Sequence, residues 1–489
     1  MKRNLALLLM VALLATACGG EAGTTPTTTT SGNETTSEPV EDSLFESDDL
    51  PADLKFGGKT LKINVQETRL KQYYIEEETG DIVDDSIYTA RRNVEDRLDV
   101  VLEYPTGAYL TWADRSTYID QIMSSVMAGA DDFDVLCSST FIAEFMARGI
   151  LTDISETPYL NFDKPWWSKG MIDAVTFNGV IPFVTGDISI GLIKSMMCMY
   201  FNKDLAADFK VEDLYDKVFA GDWTLDTFES TIKDVYNDVN GNTQKDNEDT
   251  FGFVLEGSNY ASGFYSSCDM SALAPVDGKI SFVYDSAHCV DVVQRLVSIL
   301  HNLDSVYIHG GDEQTYLAEE ALFNNGNVLI TGGWIGCSES YRDLDFDYGI
   351  IPYPKYDENQ NDYKTTLLGI YSKFAIPVTC DDTELAGAVL EALGSEFYRT
   401  VTPTYFETAL KVKYARDDET AQLFDLIRGS VSPDLGVCFT YPTDNLADIQ
   451  FKNAVNNGGE NWASRMESIK STSEEKINTI NEAYMEMAK

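Results

Sequence analysis

The sequence predicts an α/β fold, and three observations carry the prediction. Short apolar runs alternate with segments of helical periodicity from Thr60 to Gly149, the pattern of right-handed βαβ units on a parallel sheet. Apolar side chains make up 44% of the chain, enough for an ordinary core. Beyond residue 54 no unbroken apolar run reaches the roughly 20 residues needed to span a bilayer.

The chain begins with Met1-Lys2-Arg3, an apolar stretch from Leu5 to Leu14 and the small residues Ala15-Thr16-Ala17. A basic start, an apolar centre and small residues before a cut describe a signal peptide over residues 1–17. The run Leu14-Ala15-Thr16-Ala17-Cys18 resembles the lipobox of bacterial lipoproteins, which implies lipidation of Cys18. Ala15-x-Ala17 also suits an ordinary signal peptidase, leaving Cys18 as a free thiol. Residues 18–54 are rich in Thr and acidic side chains and poor in apolar ones. Such a segment buries too little surface to offset its ordering entropy, so a disordered linker is expected. The membrane is then met only through the lipid, whose two chains suffice for stable anchoring.

The body opens with a strand, Thr60–Val65, then a helix from Asp84 to Leu98 with Ile87, Ala90, Val94 and Leu98 on one face. Val100–Tyr104 reads as a strand, Tyr118–Met127 as a helix, Phe133–Leu136 as a strand and Phe141–Arg148 as a helix closed by Gly149. The loop Cys137-Ser138-Ser139-Thr140 falls at the carboxyl end of a strand, where open α/β sheets collect ligands. Ser138 and Ser139 are therefore candidate ligand contacts, with a helix N-cap as the equal alternative. Further on, Val290, Val293, Leu296, Val297 and Leu300 form a helix face, and a helix is expected from Asp312 to Phe323. Strands follow at Val328–Thr331, Tyr348–Pro352 and Ser372–Pro377, and a closing helix at Ser473–Ala488.

Thirty-six basic against 80 acidic side chains give a net charge of −44. That field excludes nucleic acid as a partner and repels anionic solutes unless a local basic site overrides it. Beyond Cys18, seven cysteines stand without a C-x-x-C pair, so neither a zinc site nor a disulfide framework is expected.

Four runs carry a wider resemblance. They are Asp132–Val135 with Ala147–Ile154, Met199–Leu205, Gly221–Phe228, and Leu322 through Trp334. In this order they resemble the family-1-type extracellular solute-binding proteins, the receptors of sugar-importing ABC transporters. Glu78–Asp81 with Arg91–Glu95, Pro158-Tyr159 with Lys164–Trp167, and Lys413–Asp417 resemble a clostridial-type branch. Asp222 stands where that family usually has a proline before the Trp.

The resemblance implies a two-lobed periplasmic-binding-protein-like fold of type II, each lobe a mainly parallel sheet flanked by helices, with hinge crossings. Lobe 1 is expected over 55–193 plus 347–394, and lobe 2 over 194–346 plus 395–489. It further implies a monomer that closes around a small-molecule solute, a carbohydrate, and delivers it to permease subunits. A non-sugar solute such as a peptide or polyamine is the alternative.

Sugars need flat apolar faces and polar groups. Trp334 is the foremost candidate, with Gly333 before it for close backbone approach. Asn259, Tyr260 and Tyr265 lie in a Gly- and Ser-rich loop, and Tyr441 and Asp444 in a polar-aromatic one. Ser195 and Tyr371 lie near the expected crossings, while Trp166, Trp167 and Trp223 are expected to pack the core.

The segment 238–249 places Asp238, Asn240, Asn242, Gln244, Asp246 and Asp249 at positions 1, 3, 5, 7, 9 and 12 of an EF-hand-like loop, with Gln244 offering its carbonyl. A structural Ca2+ is the expectation. Thr243 stands where such loops need Gly, and an ordinary Asn/Gly/Asp turn is the alternative. No catalytic motif accompanies His288, His301 or His309, and no P-loop is present, so no enzyme activity and no organic cofactor are expected.

Overall fold

A computed structural model describes residues 46–309, 322–341, 344–369, 371–406, 418–459 and 461–489. The expected leader, Cys18 and the linker up to residue 45 lie outside them. So do most of the helix expected from Asp312 and the Lys413–Asp417 run.

Among the described residues the strands are β1 (Lys59–Gln66), β2 (Val100–Glu103), β3 (Thr106–Gly107), β4 (Val135–Ser138), β5 (Met197–Asn202), β6 (Tyr236–Asn237), β7 (Thr250–Glu256), β8 (Leu273–Val276), β9 (Lys279–Phe282), β10 (Val306–His309), β11 (Val328–Trp334), β12 (Tyr348–Ile351) and β13 (Lys373–Ala375). They form two main sheets and one hairpin. The first has the order β13-β4-β1-β2, with β3 also on β1. Its β1 pairs are parallel and β13 is antiparallel to β4. The second has the order β10-β7-β11-β5-β12, with β6 on β7. It is mixed rather than mainly parallel: β7 pairs parallel with β10 and β11, whereas β5 runs antiparallel to β11 and β12.

Local chemistry sets the boundaries. Asp81 accepts from the amides of Val83 and Asp84 and caps the helix Ile82–Leu98, satisfying donors that the first turn leaves unpaired. Asn202 does the same for Lys203–Asp208. The run around Trp223 is likewise a helix start. Thr224 caps Leu225–Ile232, and the fully buried Trp223 donates Nε1–H to the Pro352 carbonyl at 2.9 Å. Trp166 and Trp167 are core residues as expected, Trp167 donating to Glu391 Oε2 at 2.9 Å.

Three expected boundaries move. Strand β12 pairs with β5, so residues from 347 stay with the second sheet and the chain rejoins the first only at β13. The helix Thr383–Glu396 does not leave the first lobe at 394. It continues into a wider turn over Phe397–Val401, whose Phe397 and Val401 pack in the core around β1. The linker ends earlier than residue 54. Leu50 is buried in that same core, and Asp48 is clamped by Arg97 with both nitrogen–oxygen distances 2.6 Å. The closing helix is longer than expected, Trp462–Met487. No helix among the described residues is long and apolar enough to cross a membrane.

Candidate functional site: the cleft at the strand ends

Strand ends from both sheets converge on one cleft of about 1310 Å³. Thr68 and Arg69 follow β1, Ser139 and Thr140 follow β4, Asn259 follows β7, and Trp334 ends β11. This is where an open α/β sheet leaves backbone groups and loops free for a ligand. Beside them run two crossing segments. Met197 donates its amide to the Thr366 carbonyl at 2.9 Å and Leu368 to that of Ser195 at 2.8 Å. Thr366, Leu367 and Leu368 line the cleft next to that contact.

Six of the nine predicted ligand residues line the cleft: Ser139, Asn259, Tyr265, Trp334, Tyr441 and Asp444. Ser139 donates its amide and hydroxyl to Gln66 Oε1 at 2.9 and 2.8 Å. It does not cap the following helix, whose N-cap is Phe141. Asn259 Oδ1 accepts from Lys452 at 2.8 Å, and Tyr265 donates to Asp434 Oδ1 at 3.0 Å. Asp444 is ion-paired with Lys476.

Three candidates are placed elsewhere. Ser138 is fully buried behind the cleft wall. Tyr260 is also buried, its ring stacked on Trp334 with centroids 5.5 Å apart and planes at 25°. Gly333 faces the interior. A Cβ there would meet the Tyr200 ring at 2.9 Å, so its small size serves packing rather than a solute. Of the lesser candidates, Tyr371 lines the cleft, whereas buried Ser195 bonds back to Gly191 and Leu192.

The cleft also holds residues that periodicity did not mark. Trp112 stacks on Phe141 (5.9 Å, 30°), and Tyr441 meets Phe141 edge-on at 5.0 Å. Trp112 and Tyr441 line the cleft over the buried Phe141 and make a second aromatic wall. Lys373 is 3% exposed; it donates to the Ser139 carbonyl at 2.9 Å and lies 4.0 Å from the centre of the Tyr371 ring. Burial pulls its pKa down to about 8. Burial likewise lowers that of Arg69.

The loop 238–249 is folded on itself. Asp238 accepts from the Gly241 and Thr243 amides, and Thr243 sits at φ 63°. Asn240 and Asn242 turn their amide nitrogens to Asp246 Oδ2. Asp249 is fully buried, and its Oδ1 has no hydrogen-bond partner. The oxygen donors fit a hard cation in kind, and that oxygen is the atom a cation would relieve. No cluster of three or more His, Cys, Asp or Glu placed to hold a metal ion occurs among the described residues.

No protein-family profile matches the chain, and no curated protein matches it. Solved structures do. A maltose/maltodextrin-binding domain from Bdellovibrio bacteriovorus, bound to maltotriose, superposes with a TM-score of 0.53 at 13% identity, over 86% of this chain and 100% of that one. A family 1 extracellular solute-binding protein from Bifidobacterium longum subsp. infantis gives 0.52 at 14% identity, over 88% and 100%. This chain has the two-lobed solute-binding-protein fold. An ABC substrate-binding protein from Listeria monocytogenes, in complex with cycloalternan, gives 0.50 at 15% identity, over 86% and 98%. The solute-binding-protein fold accounts for the paired crossings and for a cleft made from the strand ends of two sheets.

Proposed function

We propose that the protein is an extracytoplasmic solute receptor that closes its lobes over a carbohydrate and presents it to an ABC-type permease. The observation that carries the reading is the cleft itself. At about 1310 Å³ it exceeds the roughly 300–1,000 Å³ of an ordinary small-molecule pocket. Its two aromatic walls, Trp334 and the Trp112–Tyr441 pair, suit the C–H faces of successive sugar units. Ser139, Asn259, Thr366 and Thr440 offer hydrogen-bonding groups between them. A solute touching both lobes favours the closed state by its differential contacts.

A lipid on Cys18 would keep such a receptor beside its permease, and a structural Ca2+ in the loop 238–249 would satisfy Asp249 Oδ1. The polyamine alternative meets a wall with more cations than anions, which disfavours it. A thermal-shift screen over mono- and oligosaccharides, peptides and amines tests the reading. Stabilisation by carbohydrate alone supports it, and stabilisation by peptides or amines alone overturns it.

A further inference from the structure

The charge of the cleft runs against that of the chain. The whole protein has 36 basic and 80 acidic side chains. The cleft wall has six basic, Arg69, Arg115, Arg148, Lys373, Lys452 and Lys476, against three acidic, Glu144, Asp444 and Asp448. Each of those acids is already matched: Arg148 to Glu144 at 2.7 Å, Lys452 to Asp448 at 2.7 Å, and Lys476 to Asp444. Arg69, Arg115 and Lys373 remain without a carboxylate partner among the described residues.

Their settings leave donors to spare. Arg115 spends one nitrogen on the Trp112 carbonyl at 2.9 Å and lies over the Trp112 ring at 5.2 Å. Arg69 and Arg115 both act electrostatically on the Tyr109 hydroxyl, as does Asp114. The Asp114 carboxylate is committed to the Leu110 and Thr111 amides. Lys373 is desolvated, with the Ser139 carbonyl as its hydrogen-bond acceptor. A buried ammonium without a counter-charge is costly, and the cost falls when an anion arrives. Guanidinium groups pair with carboxylate and other oxyanions through parallel hydrogen bonds.

Resting on the carbohydrate reading, we propose that the solute is an anionic carbohydrate whose acidic group is held by Arg69 and Arg115, with Lys373 adding its charge to the same cleft wall, while its ring faces lie on the aromatic walls. Steering by this local field offsets the repulsion of a chain with net charge −44.

Titration calorimetry on the full protein with four probes tests it: maltotriose and xylotriose as neutral sugars, trigalacturonate as a carboxylate, and a sulfated chondroitin disaccharide as a sulfate ester. An acidic probe is expected to bind at least tenfold tighter than either neutral one, with affinity falling as salt rises; which acidic probe wins separates carboxylate from sulfate. Arg69→Gln and Arg115→Gln should each cut that preference by about tenfold, and Arg115→Lys should restore part of it, at unchanged circular dichroism. Both arginines are partly exposed, so these variants test the site without removing a core residue. Neutral sugars that bind while both acidic probes do not would overturn the anionic proposal and leave the carbohydrate reading standing. Failure of all four, with a peptide or amine binding instead, overturns both.

Discussion

The Tyr260 ring lies against Trp334, 5.5 Å between centroids and 25° between planes, so the cleft-lining indole is supported from behind by a buried phenol. A flat backing ring fixes the orientation of the indole before any solute arrives. Trp334→Ala is expected to weaken carbohydrate binding at least tenfold with the fold intact, and Tyr260→Leu to weaken it less by loosening the indole. Ring pairs of this kind contribute about 0.5–1.5 kcal/mol beyond burial. Calorimetry on both variants checks the order, and an unchanged dissociation constant for Trp334→Ala removes that residue from the site.

Glu391 gives the first lobe a pH signature. Burial raises its pKa to about 7, against the hydrogen bonds it accepts from Trp167 and the Asn161 amide. The folded chain therefore holds this proton in a range where the unfolded chain has lost it. The resulting stability is full below the unfolded pKa and disappears as pH rises through about 7. Glu391→Gln should flatten the fall in melting temperature between about pH 5 and 8. Parallel melting curves for the variant and the parent would show this part of the account to be mistaken.

Asp48 behaves in the opposite sense. Burial raises its pKa, but the hydrogen bonds and charge of Arg97 outweigh this and hold it below the usual carboxylate range. Its contribution is present above the unfolded pKa and is lost as pH falls. Arg97→Ala leaves a carboxylate with 1% side-chain exposure facing no cation. Because Arg97 itself is one-third exposed, the expected loss is about 1–3 kcal/mol, below that of a fully buried pair. Urea unfolding measures it.

Calcium added to a chelator-treated sample is expected to raise the melting temperature, by mass action on the folded state alone. Asp249→Asn should abolish the shift. Thr243→Gly, which relieves a left-handed backbone at φ 63°, should stabilise the protein by about 0.5–1 kcal/mol with or without the ion. No calcium-dependent shift in the parent would leave the loop as an ordinary turn.

The helices of the first lobe were legible because each buries one face, and its central strands because they are short apolar runs buried on both. Ile87, Ala90, Val94 and Leu98 mark one helix, and β1 is a core strand buried without a break from Ile63 to Gln66. The Trp334 end of β11 was legible because Gly332-Gly333-Trp334 closes an apolar run. Arg69 and Trp112 were not, because they sit in short 3-10 turns, Glu67–Gln72 and Trp112–Asp114, with no buried residues and no periodicity. Scarcity was the signal available there: a Trp and two Arg in a chain with an acidic excess. Tyr260 and Gly333 were legible as special but not in direction, since sequence does not say which side of a strand end faces the gap. The mistaken boundary at residue 347 has a similar source, because a strand pattern does not name its partner.

Among the described residues, the strip from Glu46 to Leu50 is held by residues of the first lobe. Lys164 holds Glu46 and Asp49, Arg97 and Ser395 hold Asp48, and Leu50 enters the core around β1. Any pull on the chain upstream is borne by that half of the molecule. In mechanical terms the strip is a rivet through one plate: a load applied at residue 46 enters the sheet around β1 before it reaches the crossing segments.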